Sequence, residues 1–271
     1  MWLTMKSTWA AKIVTVVFTL LTLFWIYLQV AIPEDTEVHT FFGAIYGIVA
    51  LLGAIFGLKV ALKWGFFSSI LGRALVMFSL GLLMQEFGQA TLSYFHYVYD
   101  IEGQYPSLGD IGFFGSIPLY VYGVMLLAQA AGVRIRIQSF VSKLQAIIIP
   151  LGMLGVGYYL FLQDYEFDWS APIKTFLDFG YPLGQAIYVS LAILTYLLSR
   201  GVLGGIMKSK ILLILFALVV QFLSDYTFLY QTSRGTWHVG EINDYMYLVA
   251  YFILAIALIQ FESVYKSLKQ E

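Results

Sequence analysis

Long apolar stretches separated by short polar ones run along the whole chain. An α-helix of about 20 residues crosses a hydrocarbon core of roughly 30 Å, and helices satisfy their own backbone hydrogen bonds in lipid. The pattern therefore predicts an all-α, polytopic membrane bundle of about eight transmembrane helices, forming a single domain over residues 1–271. The predicted spans are 11–31, 40–62, 70–99, 110–131, 143–163, 174–199, 206–231 and 242–264.

Composition and charge refine this prediction. The chain is 60% hydrophobic and only 11% charged, whereas charged residues make up roughly a quarter of an ordinary soluble domain. The polar loops alternate between basic and acidic, and of 15 Lys and Arg residues only Lys174 and Arg234 fall on the acidic side. Because Lys and Arg collect on the cytoplasmic side of a bilayer, we expect both termini in the cytoplasm and the chain in the inner (plasma) membrane. We expect the first span to be an uncleaved signal anchor.

A weak internal repeat relates the two halves of the chain. The second half can be aligned on the first so that Tyr181 corresponds to Tyr46. Span 8 corresponds to span 4 when the shift between the two halves is slightly shorter. Two four-helix repeats, 10–135 and 141–266, would be parallel and related by an axis along the membrane normal. The alternative is chance similarity between apolar helices. The pairs matched at the shorter offset include Ser93 and Ser224, Gly109 and Gly240, Asp110 and Glu241, Tyr120 and Tyr251, and Gln129 and Gln260.

Several spans carry polar side chains within their apolar length. A carboxylate there costs at least roughly 2.5–3.5 kcal/mol, so it normally faces protein or water, and Glu86 and Asp225 are the two clear cases. Helical spacing places further polar residues on the same faces, which predicts a ligand-binding cup open to the outside. Its predicted binding residues are Glu86, Gln89, Ser93, His96, Asp110, Asp178, Tyr181, Gln185, Gln221, Asp225, Glu241, Asp244 and Tyr251.

Simpler roles compete with ligand binding for these residues. Ser, Gln and Tyr often serve as hydrogen-bonding links between membrane helices. Asp110 and Glu241 start helices at the outer side, where a carboxylate stabilises a helix N-terminus. The chain has no cysteine, and its three histidines show no established zinc-binding spacing, so we predict neither a metal site nor a cofactor.

Three short motifs resemble a known class of proteins. Pro106-Ser107-Leu108-Gly109-Asp110, Asp178-Phe179-Gly180-Tyr181-Pro182-Leu183-Gly184 and Leu223-Ser224-Asp225-Tyr226 resemble segments of bacterial multi-pass sensor regions. Those regions often precede GGDEF diguanylate cyclase, EAL or histidine kinase domains. The resemblance covers roughly residues 70–262 and implies a membrane input module, with Asp110, Asp178 and Asp225 carried over by position. Gln185 replaces the usual acidic residue, and no output domain follows Phe261.

The sequence thus favours a receptor or sensor-like module rather than an enzyme. A small polar or cationic ligand would bind in the cup, where tyrosine faces offer cation–π contacts. The signal would pass to a separate membrane or cytoplasmic partner. The alternative is a proton- or cation-coupled transporter. Further alternatives are an intramembrane metal-dependent hydrolase and a structural subunit of a membrane complex. The lipid bilayer is an expected partner, and nucleic acid is not.

Overall fold

The computed structural model describes residues 8–32, 36–101, 105–132, 140–163, 165, 167–199 and 207–269. Within these ranges long α-helices alternate with short turns. The α-helices are α1 (Trp9–Ala31), α2 (Glu37–Ile45), α3 (Ile48–Lys63), α4 (Ile70–Tyr99), α5 (Gly109–Ala130), α6 (Phe140–Gly157), α7 (Pro172–Ser199), α8 (Lys208–Arg234) and α9 (Ile242–Leu268).

Eight helical segments among the described residues are long and apolar enough to cross a membrane. Helices α2 and α3 together form the second segment, and α6 continues through a π-helical turn, Tyr158–Leu162, to form the fifth. The prediction of an all-α protein with eight such helices is confirmed, and the third predicted span, 70–99, coincides with α4. The other boundaries agree within a few residues.

Six of these segments form a closed ring. Helix α3 packs against α4, α4 against α5, α5 against α7, α7 against α8, α8 against α9, and α9 returns to α3. Helix α1 lies outside the ring against α9 and α3, and α6 lies outside it against α7. The interior of the ring is therefore enclosed by α3, α4, α5, α7, α8 and α9.

Glycines bring α4 and α5 into close contact. A Cβ atom on Gly112 would lie 2.4 Å from the backbone oxygen of Met84 and 2.5 Å from the backbone nitrogen of Gly88. On the other helix, Gly81 and Gly88 lie beneath aromatic rings of α5. Small residues allow membrane helices to approach this closely, because no side chain separates the two backbones.

The two ends of the bundle differ in their polar contacts. At the basic end, Glu262 accepts from Lys63 at 2.6 Å and from Lys266 at 3.0 Å. At the other end, which we call the acidic end, carboxylates bind tyrosines and backbone amides, as described below. Part of the predicted loop charge lies outside the described residues: Glu34, Asp35, Glu102, Arg134, Arg136, Asp164, Glu166 and Arg200.

Candidate functional site

Five tyrosines face the interior of the helical ring and form a group that we call the tyrosine core. They are Tyr46, Tyr120, Tyr188, Tyr247 and Tyr251. The ring centroids of Tyr120 and Tyr188 are 5.9 Å apart, those of Tyr46 and Tyr251 are 6.2 Å apart, and those of Tyr251 and Tyr247 are 6.1 Å apart. Tyr120 and Tyr188 each retain only 1% of their exposure. The segments that contribute these residues are the second span, α5, α7 and α9.

Asp225 provides a carboxylate in this core. Its Oδ2 accepts from the Tyr188 hydroxyl at 2.7 Å, and its Oδ1 accepts from the Gln221 amide at 3.0 Å. Tyr247 is a third hydrogen-bonding neighbour. The carboxylate is thus held by side chains from α7, α8 and α9, roughly 14 Å along α8 from the acidic end at 1.5 Å per residue.

A second set of hydrogen bonds joins α9, α4 and α5. The Tyr251 hydroxyl donates to Oε1 of Gln85 at 3.0 Å, and the Gln85 amide donates to Ser116 Oγ at 2.8 Å. Ser116 in turn donates to the Phe113 carbonyl at 2.7 Å. Glutamine thereby uses both ends of its amide to connect helices that belong to different halves of the chain.

The second span is interrupted beside the tyrosine core. Helix α2 ends at Ile45 and α3 begins at Ile48. In an uninterrupted helix the Gly43 carbonyl would accept from the amide of Gly47, and here it accepts from the Gln89 side chain at 2.6 Å. Gln89 also accepts from the Tyr46 hydroxyl at 3.2 Å. Helix α4 therefore supplies the side chain that engages the backbone at the interruption.

Three buried polar atoms around the ring interior have no hydrogen-bond partner among the described residues. They are Oε2 of Glu86, the hydroxyl of Tyr120 and Oε1 of Gln185. Buried polar groups in proteins are nearly always hydrogen-bonded, so such atoms call for an explanation. Two of the three are acceptors only, which suits a binding partner that donates hydrogen bonds.

At the acidic end, Asp178 joins two loops to α7 in an arrangement that we call the clasp. It accepts from Tyr105 at 2.8 Å, from Tyr165 at 2.7 Å and from Lys174 at 2.9 Å. Partial burial and the hydrogen bond to Asp178 raise the pKa of Tyr105 well above its usual range, so this hydroxyl remains a donor at neutral pH. In the loop before α7, hydrogen bonds from Ser170 lower the pKa of the exposed Asp168.

Two further carboxylates stabilise helix starts at the acidic end. Asp110 accepts from the Ser107 backbone at 2.7 Å and from the Tyr181 hydroxyl at 2.7 Å, which holds the start of α5 against α7. Asp244 accepts from the Gly240 backbone at 2.7 Å, just before α9. Gly240 has a φ of +82° and packs against His39, so its position requires glycine. The Asp110 contacts are those of a residue that stabilises a helix N-terminus. At α9 this role belongs to Asp244, because the side chain of Glu241, for which it was predicted, makes no capping hydrogen bond.

The predicted binding residues thus divide between two places. Glu86, Gln89, Gln185, Gln221, Asp225 and Tyr251 lie around the ring interior, whereas Asp110, Asp178, Tyr181, Glu241 and Asp244 lie at the acidic end. On the outer half of α4, Ser93 donates to the Gln89 carbonyl and His96 is half-buried. Asp225 retains only 7% of its exposure, so it is enclosed by its donors and does not line an open cup.

Sequence reasoning misses part of the core. Gln85, Tyr46, Tyr120, Tyr188 and Tyr247 are not among the predicted binding residues. Two signals could identify some of them. Gln85 lies four positions before Gln89 on the same helix face, and Tyr120 aligns with Tyr251 in the predicted repeat.

No protein-family model, curated protein or solved structure matches this chain. The described residues contain no group of three or more His, Cys, Asp or Glu side chains that could hold a metal ion. The tyrosine core and the unpaired atoms around it are therefore the basis for assigning a function.

Proposed function

We propose that the protein is a receptor-like membrane module that binds a small polar or cationic ligand inside the helical ring and signals to a separate partner. One observation carries the proposal. The Asp225 carboxylate is buried in the same core as two polar groups without a hydrogen-bond partner among the described residues, the Gln185 side-chain oxygen and the Tyr120 hydroxyl. Polar residues within membrane spans are uncommon and commonly mark sites of function.

The chemistry of the core favours a ligand that carries N–H donors and a positive charge. Asp225 supplies negative charge, and the unpaired Gln185 Oε1 can only accept a hydrogen bond. The rings of Tyr120 and Tyr188, whose centroids lie 5.9 Å apart, supply faces that attract a cation. A primary amine of modest size, protonated at neutral pH, combines these properties.

Signalling requires two arrangements of the bundle with different affinities for the ligand. Three contacts of the core connect the proposed repeats: the hydrogen bond from Tyr251 to Gln85, and the aromatic contacts of Tyr120 with Tyr188 and of Tyr46 with Tyr251. A ligand inserted between the halves changes these contacts. The ends of the helices at the basic side would carry that change to a partner.

The repeat and the orientation of the chain belong to the same proposal. We propose two parallel repeats, 10–135 and 141–266, with both termini in the cytoplasm. The order of packing supports this: α3, α4 and α5 are consecutive neighbours in the ring, as are α7, α8 and α9. The contacts that close the ring, α5 with α7 and α9 with α3, exchange with each other when the repeats are exchanged.

Thermal unfolding of the purified protein tests ligand binding. Amines, amino acids, nucleosides and lipids are added in turn, and unfolding is followed by intrinsic tryptophan fluorescence. We expect an amine to raise Tm in a saturable way, because a ligand that binds only the folded state stabilises it. Asp225→Asn should abolish the shift, and Tyr120→Phe should weaken it. Glu262→Gln, at the basic end, is the matched control that should retain it. A panel without any shift, or an equal shift in Asp225→Asn, contradicts the proposal.

A cation-coupled transporter is the second candidate, and one observation favours it. The second span is interrupted at Gly47. When Tyr46 is aligned with Tyr181, Gly47 corresponds to Pro182 of α7. Helix α7 itself runs as one helix through this proline. Gly or Pro at matching positions of the spans of two repeats is typical of transporters that bind substrate near the membrane centre. Uptake into proteoliposomes that is lost in Glu86→Gln or Asp225→Asn would support transport. Ligand binding without uptake would leave the receptor proposal in place.

A further inference from the structure

We infer that Glu86, together with the interruption of the second span, forms a binding site for one monovalent inorganic cation of the sodium or potassium class. The inference is independent of the ligand proposed for the Asp225 side of the core. It depends on different residues and can be tested separately.

The Glu86 carboxyl group lies directly against the interruption. A Cβ atom built on Gly47 would lie 2.1 Å from Glu86 Oε2 and 3.2 Å from its Cδ, so only glycine permits this approach. Glu86 is roughly 20 Å from the acidic end of α4, close to the middle of a bilayer. The site is thus formed where the backbone of α2–α3 departs from regular helical bonding.

The two carboxylates of the core differ in how the protein satisfies them. Both oxygens of Asp225 accept hydrogen bonds from side chains. In contrast, Oε2 of Glu86 is buried and lacks any donor within the described parts of the chain. No described Lys or Arg forms an ion pair with Glu86 either. If this oxygen is ionised, a bound cation would supply the positive partner that the described residues do not provide.

Gln89, one turn along α4, brings further oxygens to this region, since its Cγ would lie 3.5 Å from the Cβ position of Gly47. The Gln89 amide contacts both the Gly43 carbonyl and the Tyr46 hydroxyl, so amide, carbonyl and hydroxyl oxygens gather around Gln89 at the interruption. Oxygen ligands of this kind suit hard cations.

The number of carboxylates indicates the charge of the ion. Protein sites for divalent cations commonly use several carboxylates, and the described residues contain no cluster of three acidic or histidine side chains. One carboxylate with neutral oxygens balances one positive charge. Backbone carbonyls at breaks in membrane helices are a known means of binding monovalent ions.

The corresponding position of the other repeat lacks these features. There α7 continues as one helix through Pro182, whose carbonyl accepts from the Tyr226 hydroxyl at 3.0 Å. Tyr181, which aligns with Tyr46, donates to Asp110. The protein's own side chains thus satisfy the groups at this position, so the proposed cation site belongs to the first repeat alone.

Salt exchange on the purified protein tests the site. Tm is measured in sodium, potassium and N-methyl-D-glucamine chlorides at constant ionic strength, the last being an organic cation too large to enter. We expect Tm to rise with sodium or potassium and to saturate, and radiolabelled sodium or the potassium analogue rubidium to bind with a stoichiometry of one per chain. Equal Tm values in all three salts, with no saturable binding of either ion, would overturn the inference.

Variants identify the residue responsible. Glu86→Gln should remove the salt dependence, and Asp225→Asn should keep it, which separates this site from the proposed ligand site. Glu86→Asp retains the charge, but its shorter side chain places the carboxyl group farther from Gly47. We therefore expect the affinity for sodium or potassium to fall tenfold or more. Gly47→Ala forces the Glu86 carboxyl group to move and should weaken binding similarly. A salt dependence that persists unchanged in Glu86→Gln contradicts the assignment, and Glu86→Asp provides the same test if Glu86→Gln does not fold.

Discussion

At the scale of single residues, Asp225 shows how a carboxylate is accommodated inside a membrane bundle. Removing a charge from water is costly, and a buried charge is tolerated when hydrogen bonds replace its hydration. Tyr188 and Gln221 supply such bonds at 2.7 and 3.0 Å. Hydrogen bonds to charged groups contribute more than neutral ones, at about 1.5–3 kcal/mol each. The stability of the core therefore depends on a few donors.

The first prediction concerns one of these donors. Tyr188→Phe keeps the aromatic ring and removes the hydroxyl, so Asp225 loses one charge-assisted hydrogen bond. We expect the free energy of unfolding to fall by roughly 1.5–3 kcal/mol. Denaturation of the purified protein, followed by tryptophan fluorescence, measures the change. Tyr159→Phe is the control, since Tyr159 is 67% exposed and should be neutral. A Tyr188→Phe protein as stable as wild type would contradict this account.

Part of the site can be predicted from single residues, and part cannot. Glu86 and Asp225 are identifiable because a carboxylate in an apolar span is unusual. Tyr46, Tyr120 and Tyr247 are not, because the chain contains 20 tyrosines and many of them suit a bilayer interface equally well. Which tyrosines face inward depends on how the helices pack, and helical spacing alone does not determine that. The same limit explains why the sequence suggests an open cup around Asp225, whereas this side chain lies enclosed.

At the scale of elements, the contact between α4 and α5 depends on glycine. The second prediction is that Gly112→Ala destabilises the protein by about 1–3 kcal/mol, because the added methyl group meets backbone atoms of Met84 and Gly88 that cannot rotate away. Thermal unfolding in detergent measures the loss. Gly152→Ala is the matched control in another span, since no described atom lies within 4 Å of its Cβ position. That change should be neutral or stabilising by up to about 1 kcal/mol. Equal behaviour of the two variants would refute the role of Gly112.

The third prediction concerns the clasp at alkaline pH. Because the pKa of Tyr105 is raised in the folded protein, its contribution to stability is fully present below the pKa of an unfolded tyrosine, about 10. It is lost as pH rises above that value toward the folded pKa. We expect Tm to fall more steeply above pH 10 in wild type than in Tyr105→Phe. Tyr122→Phe, which alters an exposed tyrosine outside the clasp, is the control variant. Parallel curves for wild type and Tyr105→Phe would show that the clasp does not contribute.

The helices themselves are largely predictable from the sequence, and the interruption of the second span is not. Hydropathy over about 20 residues is a strong signal, so span positions agree within a few residues. Gly47 lies in an apolar run that contains several other glycines, and nothing local distinguishes it. The interruption is recognisable only from the Gln89 side chain on the Gly43 carbonyl, a contact between distant parts of the chain.

At the scale of the whole molecule, the alternation of loop charge determines the proposed orientation. The fourth prediction is that green fluorescent protein fused after the last residue is fluorescent, because it folds in the cytoplasm. Alkaline phosphatase fused after Trp169, following the fifth span, should be active because that loop lies outside. The same phosphatase fused after the last residue is the control and should be inactive. The reverse pattern of activities would show the opposite orientation.

The order of helices in the ring is beyond sequence reasoning. The predicted repeat proposes which spans are equivalent, but the neighbours of each span depend on side-chain fit across the interior. For example, the bond from Tyr251 to Gln85 joins residues 166 positions apart. Similar apolar surfaces on every helix leave several arrangements open until such polar contacts select one.

The ring also has a consequence for biogenesis. Gln85 meets its donor Tyr251 only after the last helix has entered the bilayer, so the first half is synthesised with an amide that lacks its final partner. Half-molecules cut between residues 132 and 140 should therefore be short-lived when produced singly. Produced together in one cell, they should protect each other from proteolysis and co-purify.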